Sequence, residues 1–254
     1  MSAKTAPPLP ASDEAHYEHM LHALQLADKC LPTTTAFCVG CTLYYDDEVG
    51  NKVAHSTPPT MASRATSQRA LLSDGFSREL PGNTHAEQCA LDKIVARCEQ
   101  GESNGGGPDE EEELALDLYT TMEPCSKRAS DPRGCAQRII DFNFARHLLD
   151  LPASSSSANA PAQGQPTSRK RRLRIARVFQ GVREPDDFQL CEGQRWLRDA
   201  GIEVHTVLPP GRAAEGTTDW LEKECLRIAK KSHADEPAAP AEDVVRRWKE
   251  ATFP

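Results

Sequence analysis

The sequence lacks an uninterrupted apolar run of about eighteen residues, the length at which a membrane-spanning helix is expected, so no span is predicted. Its first residues, MSAKTAPP, lack the apolar core of a secretory signal, and the cytosol is the expected compartment. The chain also lacks an excess of positive charge, because its formal net charge is -8, and this argues against a general nucleic-acid binder. A basic run at 169–172 nevertheless leaves access to the nucleus open.

Cysteine is the residue type that the chain does have in number. There are nine cysteines in 254 residues, an odd number in a chain of this length without an export signal. A disulfide framework is typical of short secreted proteins with an even number of cysteines. We therefore predict reduced thiols, some of which bind a metal.

Local patterns predict one α/β domain over residues 13–231. Strands are predicted at 36–45, 70–77, 114–121, 173–182 and 202–208. Helices are predicted at about 13–31, 85–99, 135–149, 194–200 and 217–231. Two early antiparallel strands, followed by alternating strands and helices, predict a three-layer α/β/α sandwich with a five-stranded mixed sheet.

Five segments differ from this domain in composition. Residues 1–12 are rich in proline and are predicted to be disordered. Three polar insertions are predicted, and they cover about 46–68, 101–113 and 152–170. Residues 232–254 form a polar C-terminal tail.

Two short motifs carry the predicted chemistry. His85 begins the motif HAE at the start of a predicted helix, and Cys125 ends the motif EPC after a predicted strand, with Cys135 following after nine intervening residues. Zinc takes imidazole and thiolate ligands in a tetrahedron, and three protein ligands leave the fourth position for water. Together the motifs match the signature of zinc deaminases and predict Zn2+ as cofactor, with His85, Cys125 and Cys135 as ligands.

Glu87 is the predicted catalytic residue. It lies two residues after His85, in the same first helical turn. A carboxylate there can take a proton from water and deliver it to a ring nitrogen and to the leaving ammonia. The combination of motifs is more specific than either motif alone, because each one also lies at the expected end of a helix or a strand.

Longer stretches around the motifs carry a family resemblance. They are PGNTHAEQC at 81–89, LYTTMEPCSKR at 118–128, FCVG at 37–40, FQGVREP at 179–185 and GIEV at 201–204. These stretches resemble the fungal riboflavin-pathway pyrimidine deaminases of the cytidine deaminase-like superfamily. The resemblance implies a cytidine deaminase-like fold and hydrolytic deamination of 2,5-diamino-6-ribitylamino-4(3H)-pyrimidinone 5′-phosphate.

The spacing of the two cysteines agrees with this resemblance. Cytidine, deoxycytidylate and tRNA-adenosine deaminases usually have two residues between their zinc cysteines, whereas the riboflavin-pathway family has a long loop like the one here. One departure lies in this loop, where the chain has Ala129, Ser130 and Asp131 in place of the family's Leu-Ser-Gly. The superfamily's habit of assembly also implies a homodimer.

Three residues are candidate substrate contacts. Lys127 and Arg128 lie between two predicted ligands, and one or both are predicted to hold the substrate phosphate, the alternative being solvated charge. Asn83 precedes the zinc helix and is predicted to bind the pyrimidine edge or the ribityl hydroxyls, the alternative being turn formation. The substrate is thus expected to be a small phosphorylated pyrimidine.

Two other functions stay open. The first is a deaminase of another base, such as cytidine, dCMP or adenosine in tRNA; the cysteine spacing and the negative charge argue against it. The second is a non-catalytic subunit on the same fold, and the presence of Glu87 argues against it. No Rossmann fingerprint occurs, so no nicotinamide cofactor is expected.

Overall fold

The computed structural model describes residues 14–33, 36–46, 69–101, 112–128, 131, 133–152, 168–184, 191–208 and 220–231. The predicted N-terminal and C-terminal segments and most of the three predicted insertions lie outside these residues. Within them the helices are α1 (Glu14–Lys29), α2 (Ala86–Gln100), α3 (Cys135–Phe144), α4 (Gly193–Asp199) and α5 (Trp220–Ala229). The strands are β1 (Gly40–Asp46), β2 (Arg69–Phe76), β3 (Glu112–Thr120), β4 (Leu148–Pro152), β5 (Ser168–Gln180) and β6 (Glu203–Thr206).

The strands form a single mixed sheet in the order β2-β1-β3-β5-β4, with β6 also pairing with β5. Strand β1 is antiparallel to both β2 and β3, whereas β3, β5 and β6 run parallel. One apolar core packs α2, α3 and α4 against the sheet, and a second core packs α1 and α5 against the other face. The predicted three-layer α/β/α sandwich is confirmed, and none of the described helices has the length and apolar character needed to cross a membrane.

A sixth strand is the main difference from the sequence prediction. The sequence predicts a helix that runs to 149, but α3 ends at Phe144, and β4 pairs antiparallel with the first half of β5. The side chain of Asn143 explains the early end, because its amide donates to the Ile175 carbonyl (2.8 Å) and its oxygen accepts from the Ile175 N–H (2.7 Å). Beyond it, Leu149 and Leu151 are buried on either side of the exposed Asp150, which is strand periodicity.

Side chains on opposite faces of β1, and of the extended residues just before it, belong to different cores. Cys38 belongs to the core under α1 and α5, and Cys41 belongs to the core under α2, α3 and α4. This arrangement agrees with the alternation of side chains along an extended chain. All nine cysteines lie among the described residues, and none of them forms a disulfide.

The sheet brings the beginnings of α2 and α3 to one edge. Strand β3 ends at Thr120, and Cys125 follows in the loop beyond it. Helix α2 follows β2 after a turn, and helix α3 follows the loop that contains Cys125. The two motifs singled out in the sequence therefore meet where two helix N-termini point toward the end of β3.

Candidate metal centre

The side chains of His85, Cys125 and Cys135 meet at one point. His85 is the N-cap of α2, and Cys135 is the first residue of α3. The His85 Nδ1 atom lies 3.5 Å from the Cys125 sulfur and 3.4 Å from the Cys135 sulfur. One potential ligand atom from each residue lies within 4.8 Å of the other two. The structure therefore brings together the three residues that the sequence predicts as ligands.

The backbone at the start of α3 stabilises a thiolate at Cys125. The Cys135 N–H donates to the Cys125 sulfur (3.4 Å), and the Ala136 N–H donates to the Cys125 carbonyl (3.1 Å). The hydrogen bond from the Cys135 side chain is the main reason that the pKa of Cys125 is lowered, to about 3. A helix N-terminus adds a favourable field for negative charge. These hydrogen bonds favour the ionised form of Cys125, which is the form that a metal binds.

Gly134 allows the two cysteines to come this close. A Cβ atom at this position would lie 2.4 Å from the Cys125 carbonyl oxygen and 2.4 Å from the backbone of Ser126. Contacts of this kind with backbone atoms cannot be relieved by rotating a side chain. The absence of a side chain at Gly134 is therefore a requirement of the metal-binding loop.

We expect Gly134→Ala to displace the Cys125 loop, because the added methyl group would clash with backbone atoms. Overpacking of this kind lowers the free energy of unfolding by about 1–3 kcal/mol. Thermal denaturation and zinc competition with a chelator would measure the loss of stability and of metal affinity. Gly101→Ala, at the C-terminal end of α2, is the control. A Cβ atom there would lie 3.6 Å from its nearest neighbour, which is an ordinary contact. An unchanged zinc affinity in Gly134→Ala would contradict the role given to this glycine.

Glu87 is buried next to the three ligands. Its side chain lies in the first turn of α2, and the residue is 3% exposed. The Thr120 hydroxyl donates to Glu87 Oε1 (3.1 Å), and the Cys135 side chain is also within hydrogen-bonding reach of this carboxylate. Burial raises the pKa of Glu87, and the charge of Cys125 adds to the shift. A carboxyl whose pKa is raised toward neutrality is suited to both accepting and giving a proton.

The donor set fits a metal ion such as zinc. One imidazole nitrogen and two thiolates are ligands that a borderline-soft divalent ion prefers. Three protein ligands with an adjacent non-ligating carboxylate are typical of a catalytic site rather than a closed structural site. His85, Cys125 and Cys135 are therefore the residues that would hold the ion.

The candidate substrate contacts lie around this cluster in different environments. Asn83 is exposed in the turn before α2, and Lys127 is exposed in the loop after Cys125. Arg128 is half-buried, and its guanidinium donates to Gln88 Oε1 (2.8 Å) and to the Cys135 sulfur (3.4 Å). Arg128 thus contacts one of the ligands directly, a position that its place in the sequence did not reveal.

Sequence reasoning missed Glu184, which follows β5 near the metal cluster. Burial raises the pKa of Glu184 to about 7, and the negative charges of Cys125 and Glu123 add to the shift. The carboxyl hydrogen-bonds to Cys191, but its buried Oε2 has no partner among the residues that the structure describes. A buried acceptor without a partner can receive a hydrogen bond from a bound molecule. The sequence signal for Glu184 is the segment FQGVREP, which is part of the family resemblance but received no predicted role.

Glu123 is a second residue that was missed, although it directly precedes Pro124 in the motif. It is 4% exposed, and its carboxylate accepts hydrogen bonds from the backbone N–H of Gln194 (3.2 Å) and from the side-chain amide of the same residue (3.4 Å). The backbone N–H of Glu123 donates to the Val182 carbonyl (2.8 Å). Glu123 therefore ties the Cys125 loop to the start of α4 and to the segment that carries Glu184.

Comparisons with known proteins agree with this site. Residues 13–149 match the family described as the cytidine and deoxycytidylate deaminase zinc-binding region. The diaminohydroxyphosphoribosylamino-pyrimidine deaminase of Schizosaccharomyces pombe is 31% identical over 218 residues, which are 86% of this chain and 36% of that protein. The chain thus spans about a third of the length of this curated relative.

Two solved structures are similar to this chain over most of its length. A crystal structure of Aspergillus oryzae Rib2 deaminase is 27% identical, with a TM-score of 0.52, and the match covers 93% of this chain and 99% of that one. A second structure of that deaminase, in complex with DARIPP, is also 27% identical with a TM-score of 0.52, and the match covers 93% and 98% of the two chains.

Proposed function

This chain belongs to the cytidine and deoxycytidylate deaminase zinc-binding family, and we propose that it is a zinc-dependent hydrolytic deaminase of riboflavin biosynthesis. Its substrate would be a phosphorylated ribitylamino-pyrimidine, from which it releases ammonia. The observation that carries the proposal is the meeting of His85, Cys125 and Cys135 beside the buried Glu87. The similarity to the Schizosaccharomyces pombe and Aspergillus oryzae deaminases supports the choice of substrate.

The metal would be zinc, held by His85, Cys125 and Cys135. When bound, it supplies a water molecule activated at near-neutral pH. Arg128 lies against the Cys135 sulfur and partly balances the negative charge of the two thiolates. Gln88 holds this guanidinium in place from α2.

Glu87 would carry the protons of the reaction. It takes one from the attacking water, and it delivers protons to the pyrimidine ring nitrogen and to the departing amino group. The Thr120 hydroxyl orients its carboxylate from the end of β3. Burial excludes bulk water from this carboxylate, so the proton stays available for the substrate.

The substrate would be recognised on two sides. Asn83 and the unpartnered oxygen of Glu184 would hydrogen-bond the edge of the pyrimidine or the ribityl hydroxyls. Lys127 and Arg128 provide positive charge for the phosphate.

An ammonia-release assay tests the proposed function. The zinc-loaded chain would be offered the phosphorylated diaminopyrimidine, cytidine, dCMP and an adenosine-containing anticodon stem. We expect release from the diaminopyrimidine at a kcat/KM at least about a hundredfold above the others, since misplaced polar groups leave buried partners unpaired. Faster turnover of cytidine, dCMP or the RNA would overturn the choice of substrate, and no release from any of them would overturn the enzyme assignment.

We expect Lys127→Ala to raise KM by about tenfold with little change in kcat, because a charge that holds the phosphate contributes mainly to binding. Steady-state kinetics on the phosphorylated and the dephosphorylated substrate would measure the effect, which should shrink when the phosphate is absent. Lys223→Ala, an exposed lysine on α5, is the control. Equal losses on both substrates would rule out a phosphate contact.

A cytosolic homodimer is the proposed state of the protein. Phe144 at the end of α3 is 81% exposed, and an interface between two copies would cover such a side chain. Light scattering on the purified chain would measure the oligomeric state.

A further inference from the structure

Two buried thiols outside the metal centre lie together beneath one arginine. Cys30 follows α1 and is 2% exposed, and Cys38 precedes β1 and is fully buried. The Arg78 Nη2 atom lies 2.7 Å from the Cys30 sulfur and 3.5 Å from the Cys38 sulfur. The two thiols therefore share one guanidinium nitrogen, and nothing in the proposed reaction uses either of them.

The two thiols differ in charge. A hydrogen bond from Cys30 is the main reason that the pKa of Cys38 is lowered to about 7, with Lys231 and Arg78 adding to the shift against the effect of burial. The same hydrogen bond raises the pKa of Cys30 well above its usual range. Of the two thiols, Cys38 is therefore the one that ionises more readily near neutral pH. The thiolate is the reactive form of cysteine.

Arg78 connects this pair to the metal centre. Its backbone has a φ of 65°, a left-handed conformation that surrounding contacts must hold in a residue other than glycine. The guanidinium supplies such contacts, donating to the Leu31 carbonyl (2.6 Å) as well as to the two sulfurs. The Arg78 N–H donates to the Thr84 carbonyl (2.7 Å), directly before His85. A change at the sulfurs can therefore reach a metal ligand through Arg78 and Thr84.

We propose that Cys30 and Cys38 form a peroxide-reactive pair that closes to a reversible disulfide, and that this closure releases Arg78 and loosens the turn before His85. Both sulfurs contact the half-buried Arg78, and Leu31 next to Cys30 is 78% exposed, so a small oxidant would approach the pair from this side. The effect on the turn rests on the proposed deaminase function, whereas the disulfide itself does not.

The chemistry needs hydrogen peroxide as oxidant. The Cys38 thiolate attacks one peroxide oxygen, the O–O bond breaks, and the leaving hydroxide takes a proton to become water. The Cys30 sulfur then attacks the sulfenic sulfur of Cys38, forming the S–S bond and releasing the second oxygen as water. In total, two thiols and one peroxide give one disulfide and two waters.

Other thiols are less suited to this reaction. Burial raises the pKa of Cys41 well above its usual range, and burial also raises the pKa of Cys191. Cys125 and Cys135 would be held by zinc in the loaded protein. We therefore expect the link between Cys30 and Cys38 to form before any link through these four cysteines.

Peptide mapping tests the disulfide without reference to turnover. The zinc-loaded full chain would be treated with stoichiometric hydrogen peroxide, alkylated and digested with chymotrypsin, which cleaves after Phe37 and so separates Cys30 from Cys38. We expect these two peptides to be linked until a thiol reductant is added. Cys98→Ser, a control at another buried thiol, should give the same link. In Cys30→Ser, Cys38 should instead be trapped by dimedone as a sulfenic acid. No link in the wild-type chain, or an equal yield of links through other cysteines, would overturn the pair.

Ammonia release tests the connection to the metal centre. In the oxidised wild-type chain it should fall by roughly tenfold, less than the ~100-fold that a misplacement of 1 Å can cost, and dithiothreitol should restore it. Cys38→Ser should resist peroxide. A mapped disulfide with an unchanged rate would overturn the effect on the turn. A chain that is inactive before oxidation would count against the proposed function, because the mapped link does not depend on activity.

Discussion

Replacing Glu87 by glutamine is expected to lower turnover by about 10⁴-fold or more while the chain keeps its fold and its zinc. The amide has nearly the same shape, and it can still accept the hydrogen bond from Thr120. It cannot take a proton from water or deliver one to the substrate. General acid–base groups typically contribute 10²–10⁴-fold, and we expect a loss at the upper end or beyond, since one residue serves several steps here.

Three measurements on Glu87→Gln separate chemistry from folding. Ammonia release gives turnover, elemental analysis gives zinc per chain, and thermal denaturation gives stability. Because burial raises the pKa of Glu87, the interior disfavours its charged form, and a neutral amide should not lower the melting temperature. Glu99→Gln, at an exposed position near the end of the same helix, should turn over normally. Near-normal turnover of the zinc-loaded Glu87→Gln chain would show that another group carries the protons.

Cys125→Ser is expected to lose the metal and, with it, all measurable turnover. A serine hydroxyl is not ionised at neutral pH, so the site would offer one imidazole and one thiolate instead of three ligands. The wild-type chain, purified without added metal, should contain about one zinc per molecule, because its three ligand atoms already lie close together. Elemental analysis should give a value near zero for the variant.

The control for Cys125→Ser is a variant that loses a buried thiol outside the metal cluster. Cys98→Ser removes a buried cysteine from the last part of α2, outside the metal cluster, and should retain both zinc and activity. A chelator should lower the melting temperature of the wild-type chain and of Cys98→Ser, but leave that of Cys125→Ser unchanged. A wild-type chain without zinc, which no divalent metal activates, would contradict the proposed mechanism.

Local patterns in the sequence are sufficient to predict the helices and strands that carry the site. The apolar spacing of 85–99 predicts a helix, and α2 occupies Ala86–Gln100 with His85 as its N-cap. The strand before Cys125 and the helix after Gly134 are also predictable, because strand and helix periodicities are local properties of the chain. Once the strands pair in one sheet, the end of β3 and the N-termini of α2 and α3 lie at the same edge of that sheet. His85, Cys125 and Cys135 are therefore identifiable as a group from the sequence alone.

Contacts between segments that are distant in the chain could not be predicted from local patterns. The contact of Arg128 with Cys135, the unpartnered oxygen of Glu184 and the pairing of β4 with β5 have no local signature. The same holds for Cys30 and Cys38, whose shared partner Arg78 is 40 residues or more away from both in the sequence. Periodicity reports which face of an element is buried, whereas these contacts depend on which elements pack together and at what depth. That is decided by the burial of apolar surface and the pairing of buried polar groups over the whole domain.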